Sequence, residues 1–436
     1  MRLFAREAFL PDGWAPDVTF DLAPDGTIAA VATATRQAGS ELLDGPVVPG
    51  MANLHSHAFQ RAMAGRAERR AADGDDFWGW RETMYRLAET LDPDSLRAIA
   101  GEAYRAMLAA GYTAVAEFHY LHRDPRGAWY AEKAAMARAL VAAARDAGIA
   151  ICLLPALYAH GDAGGGPLRA RQRRFAADAG DVLEIASAVR RDHAEDPDVV
   201  VGACAHSLRA AAPDELRALI AGAPPNVPVH LHAAEQTREV ESVTAALGAP
   251  PVAWLLANFA VDKRWCLVHA THLGDAERDA LARSGAVAGL CPTTEANLGD
   301  GLFPLAPFLA AGGTFGIGSD SNVSISPVEE LRWLEYGQRL VTRRRTVAAR
   351  NAGESTGELL YAQAARGGAQ ACGLRAGALA PGYRADLLVL DARTGPLAAA
   401  RPEDLLDRYV FATDRAAPRH VMARGRWRVR DGAVVR

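Results

Sequence analysis

Eight short runs of β-branched and other apolar residues recur along the chain, each followed by a longer stretch rich in Ala, Leu, Arg and Glu. The runs are Pro46 to His57, Tyr112 to Tyr120, Ile149 to His160, Val199 to Ser207, Val227 to Glu235, Trp265 to Thr271, Ala286 to Thr293 and Thr314 to Asp320. Segments between them, such as 94–110, 130–147, 213–221 and 275–284, have helical composition and often follow Asp or Pro, residues that start helices. Strand alternating with helix implies a parallel sheet, and eight such units imply an α/β chain folded as a closed (β/α)8 barrel of the TIM type. Residues 47–370 are assigned to this barrel, with an insertion at 58–91 rich in Arg, Trp and Met. The ends follow another rhythm. Segments such as DVTFDLAPDGTIAAV and HVMARGRWRVRDGAVV alternate with period 2 around Asp-Gly turns, so residues 1–46 and 371–436 are expected to form one small β-sandwich domain from both termini.

Composition fits a folded chain and removes some function classes. Half of the 436 residues are hydrophobic and 23% are charged, enough for a large core. A net charge of -4 supplies no field for nucleic acid or an anionic membrane, so neither is expected as a partner. No apolar run reaches the ~18 residues that span a bilayer, and Met1 to Asp12 mixes acidic residues and proline where a secretion signal needs apolar ones, so a cytoplasmic location is expected. Cys152, Cys204, Cys266, Cys291 and Cys372 form no CxxC pair and read as reduced core residues. Lys133 and Lys263 are the only lysines, which leaves few candidates for Schiff-base or carboxylated-lysine chemistry.

Catalytic sites of such barrels lie at the C-terminal ends of the strands. Polar residues collect there: His55 and His57 on the first run, His119 and Tyr120 on the second, His160 on the third and His206 on the fourth. His232 and Glu235 follow on the fifth, His269 on the sixth and Asp320 on the eighth. A lone histidine in such a place is more often structural, but this many at one end point to chemistry. On a strand, His55 and His57 face the same side and can chelate one ion. His232 and Asp320 complete an N3O donor set suited to Zn2+, with Fe2+ or Mn2+ able to take the same donors. His230 shares the face of His232 and is set aside because it lies further from the strand end. The fourth run holds no bridging carboxylate or lysine, so one metal per chain is expected. Glu235, three residues after His232, is placed to move a proton, unless it is merely an acid favoured in a first helical turn.

These residues resemble the amidohydrolase superfamily, through PGMANLHSH (49–57), HLHAAE (230–235), LVHATHL (267–273), GSDSN (318–322) and GYRADLLVLD (382–391). Within it, HSHAFQRAMAGR (55–66), FWGWRETMYRLA (77–88), AEFHYLH (116–122), HSLRA (206–210) and HAAEQTREVE (232–241) resemble the formimidoylglutamate deiminases of histidine degradation. The resemblance implies hydrolysis of the formimino group of N-formimino-L-glutamate, a small anionic amidine, to N-formyl-L-glutamate and ammonia, and a homodimer. It implies one zinc ion held by His55, His57, His232 and Asp320, with Asp320 and His269 taking the proton of the attacking water. Glu235 would deliver a proton to the leaving nitrogen and His206 would hydrogen-bond near the reacting carbon. A dicarboxylate calls for forked cationic donors. Arg209 is the leading candidate, with Gln60 and Tyr120 as supporting donors and Arg81 closing the pocket from its own or a neighbouring subunit. Phe77, Trp78 and Trp80 beside Arg81 read as packing of the insertion or an interface. The alternative is a mononuclear deaminase or chlorohydrolase acting on a purine, pterin or triazine ring, which would need an aromatic slot in place of the arginine.

Overall fold

The computed structural model describes residues 1–33, 35–68, 77–413 and 418–435, without the side chains of residues 77 and 78. Phe77 and Trp78 therefore lie, as side chains, outside the described residues. Eight parallel strands follow one another around a barrel: β1 (Met51–Ser56), β2 (Tyr112–His119), β3 (Ala150–Leu157), β4 (Val199–Val201 and Ala203–Ser207, interrupted at Gly202), β5 (Val229–Ala233), β6 (Trp265–His269), β7 (Val287–Leu290) and β8 (Thr314–Ile317). The sheet runs in sequence order from β1 to β8, and a bridge between Ser56 and Asp320 brings its two edges together. Near-continuous burial along these strands explains why they read as apolar runs.

Helices cover the outside. The helix Pro93–Ala110 shows why the alternation was readable: Asp92 accepts from the Ser95 backbone N–H, Pro93 occupies the first turn, and Gly111 at φ 104° ends it. Helix Thr356–Ala371 packs so tightly on β8 that a side chain on Gly367 would meet the Phe315 carbonyl oxygen. No single helix among the described residues is long and apolar enough to cross a membrane.

Both termini build a second, nine-stranded mixed sheet. Its strands include Arg2–Leu10, Gly13–Leu22, Leu387–Val389 and His420–Ala423, around a core of Leu3, Phe20, Val389 and Met422. Two details differ from the sequence reading. The first predicted strand splits at Gly50: Val47–Pro49 pairs with Leu387–Val389 in the second sheet, and only Met51–Ser56 enters the barrel. The C-terminal region also carries a helix, Pro402–Phe411, started by Pro402 with Glu403 and Asp404 and buried through Leu405, Leu406, Tyr409 and Val410. All five cysteines are free and buried.

Candidate active site

The C-terminal ends of the strands converge on a small cavity of about 50 Å3, lined by residues that include His57, Gln60, Arg81, Tyr120, His206, Arg209, His232, Glu235, His269 and Asp320. Thus every predicted substrate-contacting or proton-handling residue meets in one place, and His55 lies directly beneath, fully buried. Arg81 lines the cavity of its own chain, on the helix Phe77–Ala88, where its Nε donates to Tyr85 and its guanidinium stands 5.2 Å from that ring. Other strand-end histidines point elsewhere. His119 packs on His122, His160 pairs with Glu215 at 3.0 Å, and His230 binds the Ala371 carbonyl oxygen at 2.7 Å.

The donor set fits a cation. His57 Nδ1 lies 2.8 Å from the Phe118 carbonyl oxygen and His232 Nδ1 2.9 Å from that of His206. A carbonyl only accepts, so both rings carry their proton on Nδ1 and turn a bare Nε2 lone pair inward. His232 Nε2 stands 3.1 Å from His55 Nε2, and the Asp320 carboxylate lies 3.4 Å from both His55 and His57 Nε2. Atoms ~2.0–2.1 Å from a tetrahedral ion are separated by about 3.3 Å, the spacing seen here. A proton on His55 Nε2 could satisfy one of these facing acceptors; a divalent ion satisfies them all. The chain thus holds a buried His and Asp group able to take a metal ion. Lys133 is tied to Asp181 and Glu184 on the surface and offers no carboxylated bridge.

Around this group the electrostatics are strongly perturbed. Burial holds His55 down at about 3 and also lowers His57 and His232. Burial raises Glu235 to about 7, against the pull of His269. His269 is the exception among the rings: burial opposes its charge, but Glu235, Glu295 and Asp320 outweigh it and hold it up at about 10. Its Nε2 lies 3.7 Å from both Glu235 and Asp320, and its Nδ1 lies 3.2 Å from Glu295. Burial resists charge on Asp320 as well, yet the hydrogen bond from His55 and the nearby rings keep it well below the usual carboxylate range. Backbone strain gathers at the same ends: Ala234, His269, Ala270, Asp320 and Asn322 all have positive φ.

Three groups here were not singled out from the sequence. Glu295, in the first turn of helix Pro292–Leu298, looked like an ordinary helix-start acid. Asp300, which burial pushes up to about 9, sits in a loop and accepts from Gln236. Glu117 is a fully buried carboxyl inside β2, pushed by burial up to about 8, and its position in an apolar run gave no separate signal.

The Amidohydrolase family model matches residues 47–428. The chain belongs to the amidohydrolase family. Residues 1–44 also match the model described as Formimidoylglutamate deiminase HutF, N-terminal domain. Formimidoylglutamate deiminase of Pseudomonas aeruginosa is 51% identical over 430 residues, covering 99% of this chain and 95% of that one. A 5-methylthioadenosine/S-adenosylhomocysteine deaminase of Natronomonas pharaonis is 29% identical, covering 95% and 89%. Among solved structures, an amidohydrolase from Brucella melitensis superposes with a TM-score of 0.94 at 45% identity, covering 99% and 95%. An adenosine deaminase from Xanthomonas campestris with bound zinc shares the fold alone, with a TM-score of 0.80 at 21% identity, covering 100% and 94%.

Proposed function

We propose that this amidohydrolase is a formimidoylglutamate deiminase, which adds water across the formimino group of N-formimino-L-glutamate and releases N-formyl-L-glutamate and ammonia. The observation that carries the reading is the pairing of two arginines, Arg81 and Arg209, with the metal-binding group in one cavity, in a chain 51% identical over nearly its whole length to a formimidoylglutamate deiminase. Two carboxylates on the substrate match two guanidinium groups, and Gln60 and Tyr120, hydrogen-bonded to each other at 2.9 Å, add neutral donors.

His55, His57, His232 and Asp320 would hold one divalent ion, zinc by donor type. Bound there, the ion supplies Lewis acidity and makes a water acidic enough to attack near neutral pH. The chain's own groups handle the protons. Asp320, beside His269, accepts a proton as water oxygen bonds to the formimino carbon. Glu235, poised near neutrality, passes a proton to the terminal nitrogen, so the carbon–nitrogen bond breaks with ammonia as the leaving group. His206 lines the cavity as a ring kept neutral by burial, suited to a hydrogen bond at the reacting centre. A homodimer belongs to the same reading, supported by an apolar stripe on helix Pro327–Thr342 where Trp333 is 44% and Leu340 74% exposed. A cytoplasmic location accords with five free buried thiols.

Ammonia release measured across a panel tests the assignment. N-formimino-L-glutamate should be turned over with the highest kcat/KM; guanine, adenosine or S-adenosylhomocysteine doing better would overturn it.

A further inference from the structure

Among the buried ionisable groups that take no part in the proton transfers, Glu117 stands beside the metal-binding turn. Glu117 is 1% exposed, inside β2, and does not line the cavity. Burying a carboxyl is unfavourable unless its hydrogen bonds are replaced, and the hydroxyls of Ser56 and Tyr104 stand beside Glu117 as partners. One carboxylate oxygen also reaches the backbone just beyond the metal-binding histidines.

That oxygen accepts from the backbone N–H of Ala58 at 2.7 Å. Ala58 is the residue after His55-Ser56-His57, where the chain leaves β1 and enters the 3-10 helix Ala58–Met63. The first N–H groups of a helix have no partner within it, and His57 at the start supplies no side-chain cap. Glu117 caps the turn from the neighbouring strand. It stands opposite Ser56 in the β1–β2 pairing, and the register slips between Asn53 and Ser56, so the ladder is irregular where the two histidines sit. The other edge of the same segment is held by backbone. The Asp320 N–H donates to the His55 carbonyl and the His57 N–H to the Asp320 carbonyl, both at 2.9 Å, while Asn322 Nδ2 donates to Ser56 Oγ at 3.1 Å. On the β2 side, the irregular ladder leaves the exit of β1 tied by the His57 ring on Phe118 and by the Glu117 carboxyl.

We infer that Glu117 is a positioning residue for the metal-binding turn: by holding the Ala58 N–H it fixes the chain's exit from β1, so that the His55 and His57 rings meet His232 and Asp320. The inference rests on the metal site proposed above. Two variants separate this role from general packing. Glu117→Met fills similar volume without an acceptor, and Glu117→Gln keeps an oxygen for Ala58. Zinc affinity is measured on the full-length protein by competition with a chromophoric chelator, and kcat and KM are measured at saturating zinc.

Glu117→Met should weaken zinc binding by ~10–100-fold, the usual effect of losing a group that orients metal ligands, and Glu117→Gln should restore it to within about threefold of wild type. At saturating zinc, KM for N-formimino-L-glutamate should stay within about twofold, because the arginines are untouched. If Glu117→Met does not fold, Glu117→Asp takes its place, since its shorter side chain falls short of Ala58. Zinc binding unchanged in the acceptor-less variant overturns the role, as does an equal loss in Glu117→Gln. Wild-type protein that binds no zinc would instead overturn the metal site itself.

Discussion

Buried charge sits at both ends of the barrel, and the two ends satisfy it differently. At the N-terminal end, Arg384 lies 3.0 Å from Asp386 and 2.5 Å from Asp198, and Asp386 also accepts from Thr113 Oγ1 at 3.2 Å and the Arg424 N–H at 2.6 Å. These groups lie beside the starts of β2 and β4 and tie the terminal sheet to the barrel. Their charges are matched within the chain. At the C-terminal end, the bare Nε2 of His232 lies 3.1 Å from the His55 ring nitrogen, a carboxyl is raised to about 7 and five residues adopt left-handed backbone. That end is completed only by what binds to it. Similar side chains therefore serve stability where they are mutually paired and chemistry where they are left to meet an ion and a substrate.

The contrast can be broken most forcefully at the paired end. Asp386→Ala would leave Arg384 buried with less compensation and should cost ~3–5 kcal/mol in urea unfolding, with KM of the folded enzyme unchanged. Lost activity at undiminished stability would erase the distinction between the ends. At the other end, Glu235→Gln should lower kcat by roughly 10²-fold or more while metal content and unfolding midpoint hold. Near-wild-type turnover removes Glu235 from proton transfer. Arg209→Met removes a charge-assisted contact and should raise KM by ~10-fold or more with a smaller effect on kcat. An unchanged KM would move the carboxylate site elsewhere.

The smallest effect concerns pH. Glu117 is raised by burial from an ordinary 4.5 to about 8, so between those values the folded chain keeps a proton that the unfolded chain has released. Its contribution is fully present below about 4.5 and is lost as pH rises through 8. Stability of wild type relative to Glu117→Gln should therefore decline from pH 5 to pH 8. A flat difference in unfolding midpoints would show that Glu117 titrates normally.

Much of the gathering of side chains at the C-terminal end was legible because period 2 on a strand places His55 and His57 on one face, and strand ends mark the barrel mouth. His232 was separated from His230 on the same argument, and the structure sends His230 to the Ala371 carbonyl. Glu117 and Glu295 were not legible, because an acid within AVAEFHY or after CPTT has an ordinary strand or helix-start explanation until its partners are known. The split of the first strand at Gly50 was hidden for a related reason: Val47–Pro49 and Met51–Ser56 are both buried, so their hydrophobic pattern does not tell which sheet each joins.

The claim that the C-terminal end is built to be completed by one ion has a direct measurement. Protein stripped with a chelator is titrated with zinc while ammonia release from N-formimino-L-glutamate is followed. Activity should be absent at the start and rise linearly to a plateau at one equivalent per chain. Full activity in the stripped protein, or a plateau only at two equivalents, would contradict the account.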